Sequence, residues 1–180
     1  MTTLSSFTEE QRNLLIALPY QVGINISESD DAEGDEDDKQ EERALQKVLG
    51  LIPSLYNHAP LTQEILKETS AQVEAQGASW KDGSFDVTRE CGEAVALLKA
   101  HASVAEVKAY SKALLEIAET VARAAGEHAV VEIRQEPDTA FFKCLKGIMT
   151  VTGMIKEDTS ANISVAEQAA IDKIADALRV

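Results

Sequence analysis

Three capping boxes divide this sequence, and each precedes apolar residues spaced as on one face of an α-helix. The boxes lie at Thr8–Gln11, Ser103–Glu106 and Ser164–Glu167. In each, the N-cap hydroxyl and the side chain three residues later can satisfy each other's backbone N–H groups. Only 4% of the residues are aromatic, while Ala, Leu, Glu and Lys are abundant. This favours helices over sheets, because unbranched side chains lose little rotamer freedom in a helix. The sequence therefore predicts an all-α protein.

The apolar periodicity predicts about seven helices in a compact single-domain bundle. A chain of 180 residues is long enough for one sizeable core and short for two domains. The predicted helices are 8–26, 38–51, 61–76, 86–102, 104–125, 137–151 and one that begins after Ser164. Helix 104–125 has the best apolar stripe and is expected at the centre of the bundle. Residues 127–136 suit a short strand as well as a helical turn.

Three local signals refine this outline. Pro19 is expected to kink the first helix, because its ring clashes with a carbonyl one turn earlier. Gly77 is expected to end the third helix as its C′ residue. Residues 78–85 are then expected to form a loop that Trp80 and Phe85 hold against the body of the protein.

Acidic residues are concentrated between the first two predicted helices. Residues 28–42, here called the acidic loop, contain ten acidic residues against Lys39 and supply −9 of the net charge of −14. Such a surface repels phosphate backbones and anionic lipids, which argues against binding to nucleic acid or to a membrane surface. It suits cations or a basic partner, and a solvated loop that keeps the protein soluble is the alternative.

The remaining composition predicts a cytoplasmic protein. Cys91 and Cys144 lie far apart on predicted helices, without metal-binding spacing, and are expected to be buried, reduced thiols. The first residues lack the basic and apolar regions of a signal peptide. No apolar run approaches the roughly 20 residues that a membrane-spanning helix needs.

Known catalytic and metal-binding motifs do not fit the chain, so no enzyme is expected. An EF-hand from Asp31 to Glu42 puts Glu36 where the sharp turn needs glycine, and one from Ser29 lacks acidic residues at both ends. The sequence has no zinc-protease, phosphate-loop or nucleophile-elbow motif. Its three histidines, which suit structural or solvated roles better than catalysis, are His58, His101 and His128.

The two ends of the chain share a weak repeat. Glu41 lies four residues before Leu45, and Glu167 lies four residues before Ile171. Both glutamates are expected in the first turn of a helix, where the helix dipole favours an anion. A modest internal duplication of a helix–acidic loop–helix unit is consistent with this spacing.

The chain resembles the tellurite-resistance TerB-like family. The resemblance rests on the repeated helix–acidic loop–helix unit, on residues 115–126 and on residues 162–178. It implies an all-helical bundle, a role in stress or tellurite resistance, and acidic residues that bind a divalent cation. One departure concerns the second unit, because Ala125 stands where the family has an aspartate. Glu167 then lacks its partner unless another acid substitutes, and the candidates are Glu127, Glu157 and Asp158.

Two hypotheses for function follow. The first is a non-enzymatic, cation-binding stress-response protein, whose carboxylate ligands favour calcium, magnesium or manganese over zinc. Its candidate ligands are Asp30, Asp31, Asp35, Glu41, Glu42 and Glu167. The second is a helical adapter whose acidic loop binds a basic protein partner, with metal binding incidental. Converging carboxylates from loop and helix favour the first hypothesis, and an exposed apolar groove favours the second.

Overall fold

A computed structural model describes residues 2–29, 35–82, 85–125 and 163–179, with the backbone alone at 35–40 and at 125. These residues form six α-helices and two short 3-10 helices, and they contain no strand. The α-helices are α1 (Glu9–Ser27), α2 (Asp35–Leu51), α3 (Pro60–Asp82), α4 (Val87–His101), α5 (Val104–Ala125) and α6 (Val165–Ala177). The 3-10 helices are Leu4–Ser6 and Ile52–Leu55. The all-α prediction is confirmed for these residues, while predicted helix 137–151, segment 127–136, Cys144 and His128 lie outside them.

Helix α1 is enclosed by the rest of the bundle. All ten residues at positions 15–24 are buried, as expected for a helix that is apolar around most of its circumference. It contacts each of the other five described helices. Helix α5 does the same, so the expected central helix shares that position with α1.

Helix α1 continues through Pro19, and side chains from two other helices donate to carbonyls in the preceding turn. Proline has no backbone N–H, so the carbonyl of Leu15, four residues earlier, loses its normal helical donor. The buried Tyr110 hydroxyl on α5 donates to that carbonyl at 2.8 Å. The Thr69 hydroxyl on α3 donates to the next carbonyl, that of Ile16, at 2.7 Å. The Tyr110 hydroxyl thus supplies the donor that Pro19 lacks.

Three helix starts agree with the sequence. Thr8 and Ser164 each form a complete capping box, and the Asp86 carboxylate accepts from Arg89 N–H at 3.1 Å. The box at Ser103 forms only in part. Its hydroxyl accepts from Glu106 N–H at 3.3 Å, while the Glu106 carboxylate binds the start of α3 instead.

The expected end of the third helix is wrong. Helix α3 runs through Gly77 to Asp82, so residues 78–82 are helical and not part of a loop. Gly77 is buried, and a Cβ there would lie 3.4 Å from the Tyr20 ring. The Tyr20 ring of α1 thus packs against Gly77, and Trp80 lies beside Tyr20 with ring centroids 5.8 Å apart and the rings tilted by 53°. Trp80 and Phe85 do pack against the core, as expected.

Helices α1 and α2 also approach closely at a glycine. A Cβ at Gly23 would overlap the side chain of Leu45, which is only 1% exposed. Helix α2 begins at Asp35, three residues earlier than the predicted start at 38. Acidic residues near a helix N-terminus are favoured by its dipole, so this part of the acidic loop can extend the helix.

The expected burial of one cysteine is confirmed within the described residues. Cys91 is buried, and burial raises the pKa of its thiol to about 12, which leaves it protonated and unreactive. None of the described helices has the length and apolar character required to cross a membrane.

Candidate cation-binding site

Three glutamates in the described residues are almost fully buried, which is uncommon for an ionisable side chain. Glu41 on α2 is 5% exposed, Glu116 on α5 is 5% exposed and Glu167 on α6 is 3% exposed. Helices α2 and α6 both pack on α5. Each of these three helices thus contributes one buried carboxylate.

Glu41 and Glu167 lie at the same spacing from a buried apolar residue of their helices. Glu41 precedes the buried residues Leu45 and Val48 on one side of α2, and Glu167 precedes the buried Ile171 on α6. A spacing of four or seven residues puts these side chains on the same helix face. Each glutamate therefore extends a core-facing apolar stripe by one turn. The duplication itself stays a prediction.

The position within the helix differs between the two glutamates. Glu167 lies in the first turn of α6, as expected, and its Oε2 accepts from Ser164 N–H at 2.7 Å. Glu41 was expected in the first turn of its helix, which is wrong because α2 begins at Asp35. Glu41 lies in the second turn, where the four terminal N–H groups are no longer within reach.

Glu116 was not identified from the sequence. The Tyr56 hydroxyl donates to its Oε2 at 2.6 Å, and Lys112 Nζ lies 3.4 Å from its Oε1. Burial is the main cause that raises the pKa of this carboxyl, while Tyr56 and Lys112 lower it by a smaller amount. The only sequence signal is an acidic residue inside the apolar stripe of α5.

The remaining predicted ligands are distributed around the start of α2. Asp30 and Asp31 lie outside the described residues, and Asp35 is the first residue of α2, with its side chain not described. Glu42 is exposed, and its charge adds to burial in raising the pKa of Tyr20. Across the described ranges, no three acidic, histidine or cysteine side chains are arranged to hold a metal ion.

An ion pair lies at the end of α1, where the acidic loop begins. Glu28 follows the last turn of α1, and its Oε1 lies 3.3 Å from Lys81 Nζ near the end of α3. Both side chains are about half exposed, so this ion pair contributes little to stability. Lys81 also counteracts the acidic residues by lowering the pKa of Tyr20. The acidic loop therefore begins at a junction of α1, α2 and α3.

Three glutamates with raised pKa values predict a pH dependence of stability. Burial raises the pKa of Glu90, Glu116 and Glu119 above the ordinary value of 4.5. The folded state therefore holds these protons more tightly than the unfolded state. Its free energy of unfolding should rise as the pH falls from 7 toward 4.5, and fall as the pH rises through the raised pKa values.

The variant Glu119→Gln tests this dependence in thermal melts across the same pH range. It should raise the melting temperature at pH 7 and flatten the pH profile, because glutamine removes a charge that burial disfavours. Glu74→Gln makes the same change of charge at an exposed position of α3. Equal profiles for the two variants would show that the overall negative charge, and not burial, sets the pH dependence.

The fold and these side chains define an acidic all-α bundle with carboxylates in its core. In comparisons with known proteins, no family model matches the chain, and neither a curated protein nor a solved structure matches it. The resemblance to the tellurite-resistance TerB-like family stays a prediction.

Proposed function

We propose that this protein is a non-enzymatic, divalent-cation-binding protein of a stress response, the class that the TerB-like resemblance implies. The observation that supports it is the burial of Glu41, which is 5% exposed at the end of the acidic loop. Its carboxylate is held on a helix shortly after a run of acids, and such carboxylate oxygens are the ligands that hard divalent cations prefer.

The proposed ligands combine a helix with a preceding acidic segment. Glu41 supplies a carboxylate oxygen from a side chain on α2. The other candidate carboxylate ligands lie around the start of that helix and are Asp30, Asp31, Asp35 and Glu42. Calcium takes six to eight oxygen ligands on flexible segments, and magnesium and manganese also prefer carboxylate oxygens. Glu167 is the candidate ligand of the second unit, and one of its oxygens already accepts the Ser164 N–H.

A thermal melt at fixed ionic strength tests the proposal by comparing a chelator with millimolar calcium, magnesium or manganese. A site bound only in the folded state stabilises by about 2.7 kcal/mol at a hundredfold excess over Kd, so the melting temperature should rise by roughly 5–10 °C. One of the three metals should give this rise.

Two matched variants locate the effect. Glu41→Gln should abolish the metal-dependent rise, whatever its own melting temperature, because it removes a charged ligand without changing the side-chain size. Glu74→Gln removes the same charge from an exposed position of α3 and should keep the rise. If all divalent ions give the same small shift and Glu41→Gln retains it, the acidic loop only attracts counterions.

An equal small shift with all divalent ions would favour the alternative function, a helical adapter with a basic protein partner. The described residues include two exposed large hydrophobic side chains, Val104 and Val165. Each is the first residue of its helix. The adapter hypothesis stays a prediction.

A further inference from the structure

A cleft of about 400 Å³ lies between α1 and α4, and its described lining includes none of the proposed ligands around the start of α2. Glu10 at the start of α1 and Glu90 and Glu93 on α4 contribute carboxylates to its wall. Leu14 and Ala17 on α1 contribute apolar surface. A cleft of this size can accommodate a small molecule.

The charge of the cleft is negative even after its neighbouring cation is counted. Arg89 lies 4.0 Å from Glu90 and 3.7 Å from Glu93, and its own side chain is 63% exposed. Three carboxylates and one guanidinium leave a net charge of −2. The Glu90 side chain is only 14% exposed, and burial raises its pKa. A positively charged ligand would therefore be attracted to the cleft.

Gln21 supplies a second and independent indication of a ligand. It lines the cleft and is 8% exposed, and its Oε1 is buried and accepts no hydrogen bond from the described residues. Buried acceptors without a partner are rare because losing their hydrogen bond to water is costly. A ligand N–H donor in the cleft would satisfy this oxygen once the Gln21 amide turns it toward the cleft.

We propose that the cleft binds a small aliphatic diamine, with one ammonium group near Glu90 and Gln21 and the other near Glu93 and Glu10. An ammonium group donates three hydrogen bonds and accepts none, which matches a wall of carboxylate and amide oxygens. The methylene chain between the two groups would cover Leu14 and Ala17. A bare metal ion fits less well, because no set of three metal-binding side chains lies within the described parts of the chain.

Isothermal titration with 1,4-diaminobutane at physiological ionic strength tests the proposal. Gln21→Met removes the buried acceptor at nearly constant volume and should weaken binding by about tenfold, the size of one hydrogen bond to a charged group. Glu93→Gln changes a half-exposed side chain, so it should leave the fold intact and should weaken binding severalfold. Glu74→Gln, with the same loss of charge on α3, should bind as the wild type does.

Two further measurements separate this cleft from general attraction to the acidic loop. In methyl NMR spectra, the amine should shift the Leu14 signals, and Glu41→Gln should leave that shift unchanged. Nα-acetyl-lysine amide, which has one ammonium group, should bind about tenfold more weakly, and equal binding would overturn the assignment to a diamine. Unchanged affinity in both Gln21→Met and Glu93→Gln would overturn the site itself.

Discussion

Replacing Glu106 by alanine is expected to lower the free energy of unfolding by about 3 kcal/mol, since hydrogen bonds to a charged group contribute about 1.5–3 kcal/mol each. Its carboxylate on α5 accepts from Leu61 N–H at 3.1 Å and from Thr62 N–H at 3.0 Å, and the Thr62 hydroxyl donates to it at 2.9 Å. The residue before α3 is Ala59, whose side chain cannot cap a helix. Glu106 therefore performs the capping of α3 from a different helix.

Chemical denaturation of two variants measures this contribution. Ser103→Ala removes the local cap of α5 and should cost about 1 kcal/mol, because its hydroxyl satisfies only Glu106 N–H. Glu106→Gln keeps an acceptor oxygen without the charge, so its loss in free energy of unfolding should lie between those of Glu106→Ala and Ser103→Ala. If Glu106→Ala costs no more than Ser103→Ala, the cross-helix cap is not a major source of stability.

Replacing Tyr110 by phenylalanine is expected to cost about 2 kcal/mol, although it deletes one oxygen atom. That oxygen donates to the carbonyl of Leu15 at a fully buried position. Pro19 cannot provide the usual helical N–H, so the substitution leaves a buried acceptor without a partner, at a cost of about 1–3 kcal/mol.

A double-mutant cycle with Pro19→Ala tests this explanation. An alanine at that position restores a backbone N–H, so Tyr110→Phe should cost at least about 1 kcal/mol less in this background than in the wild type. Both costs are obtained from denaturant unfolding curves. Equal costs in the two backgrounds would mean that the hydroxyl does not compensate for the proline.

The helix starts could be predicted because a cap is a local interaction. Thr8, Asp86 and Ser164 each bind a backbone N–H three residues later, and that spacing is visible in the sequence. The role of Gly77 could not be predicted from a local pattern. It resembles a helix terminator, but the Tyr20 ring packs against it from another helix, and no local pattern reports such a contact.

The candidate site was predictable only in part, for a similar reason. The spacing of Glu41 and Glu167 from an apolar anchor was visible in the sequence, but their burial was not predicted. Glu106 carries the same capping-box signal as Glu167, yet its carboxylate binds α3. Glu116 is stabilised by Tyr56, which is distant in sequence. Which acid meets which partner depends on the packing of helices, and the sequence alone does not contain that information in a local form.

The enclosure of α1 also determines how the native bundle can fluctuate. Residues 15–24 are buried among the five other described helices, so detaching any one of these neighbours uncovers apolar surface on α1 as well. Partial opening is therefore expensive, and the amide protons of α1 should exchange with solvent only when the bundle unfolds as a whole. Hydrogen exchange along this helix consequently reports the global free energy of unfolding, whereas amides at exposed helix ends report local fraying.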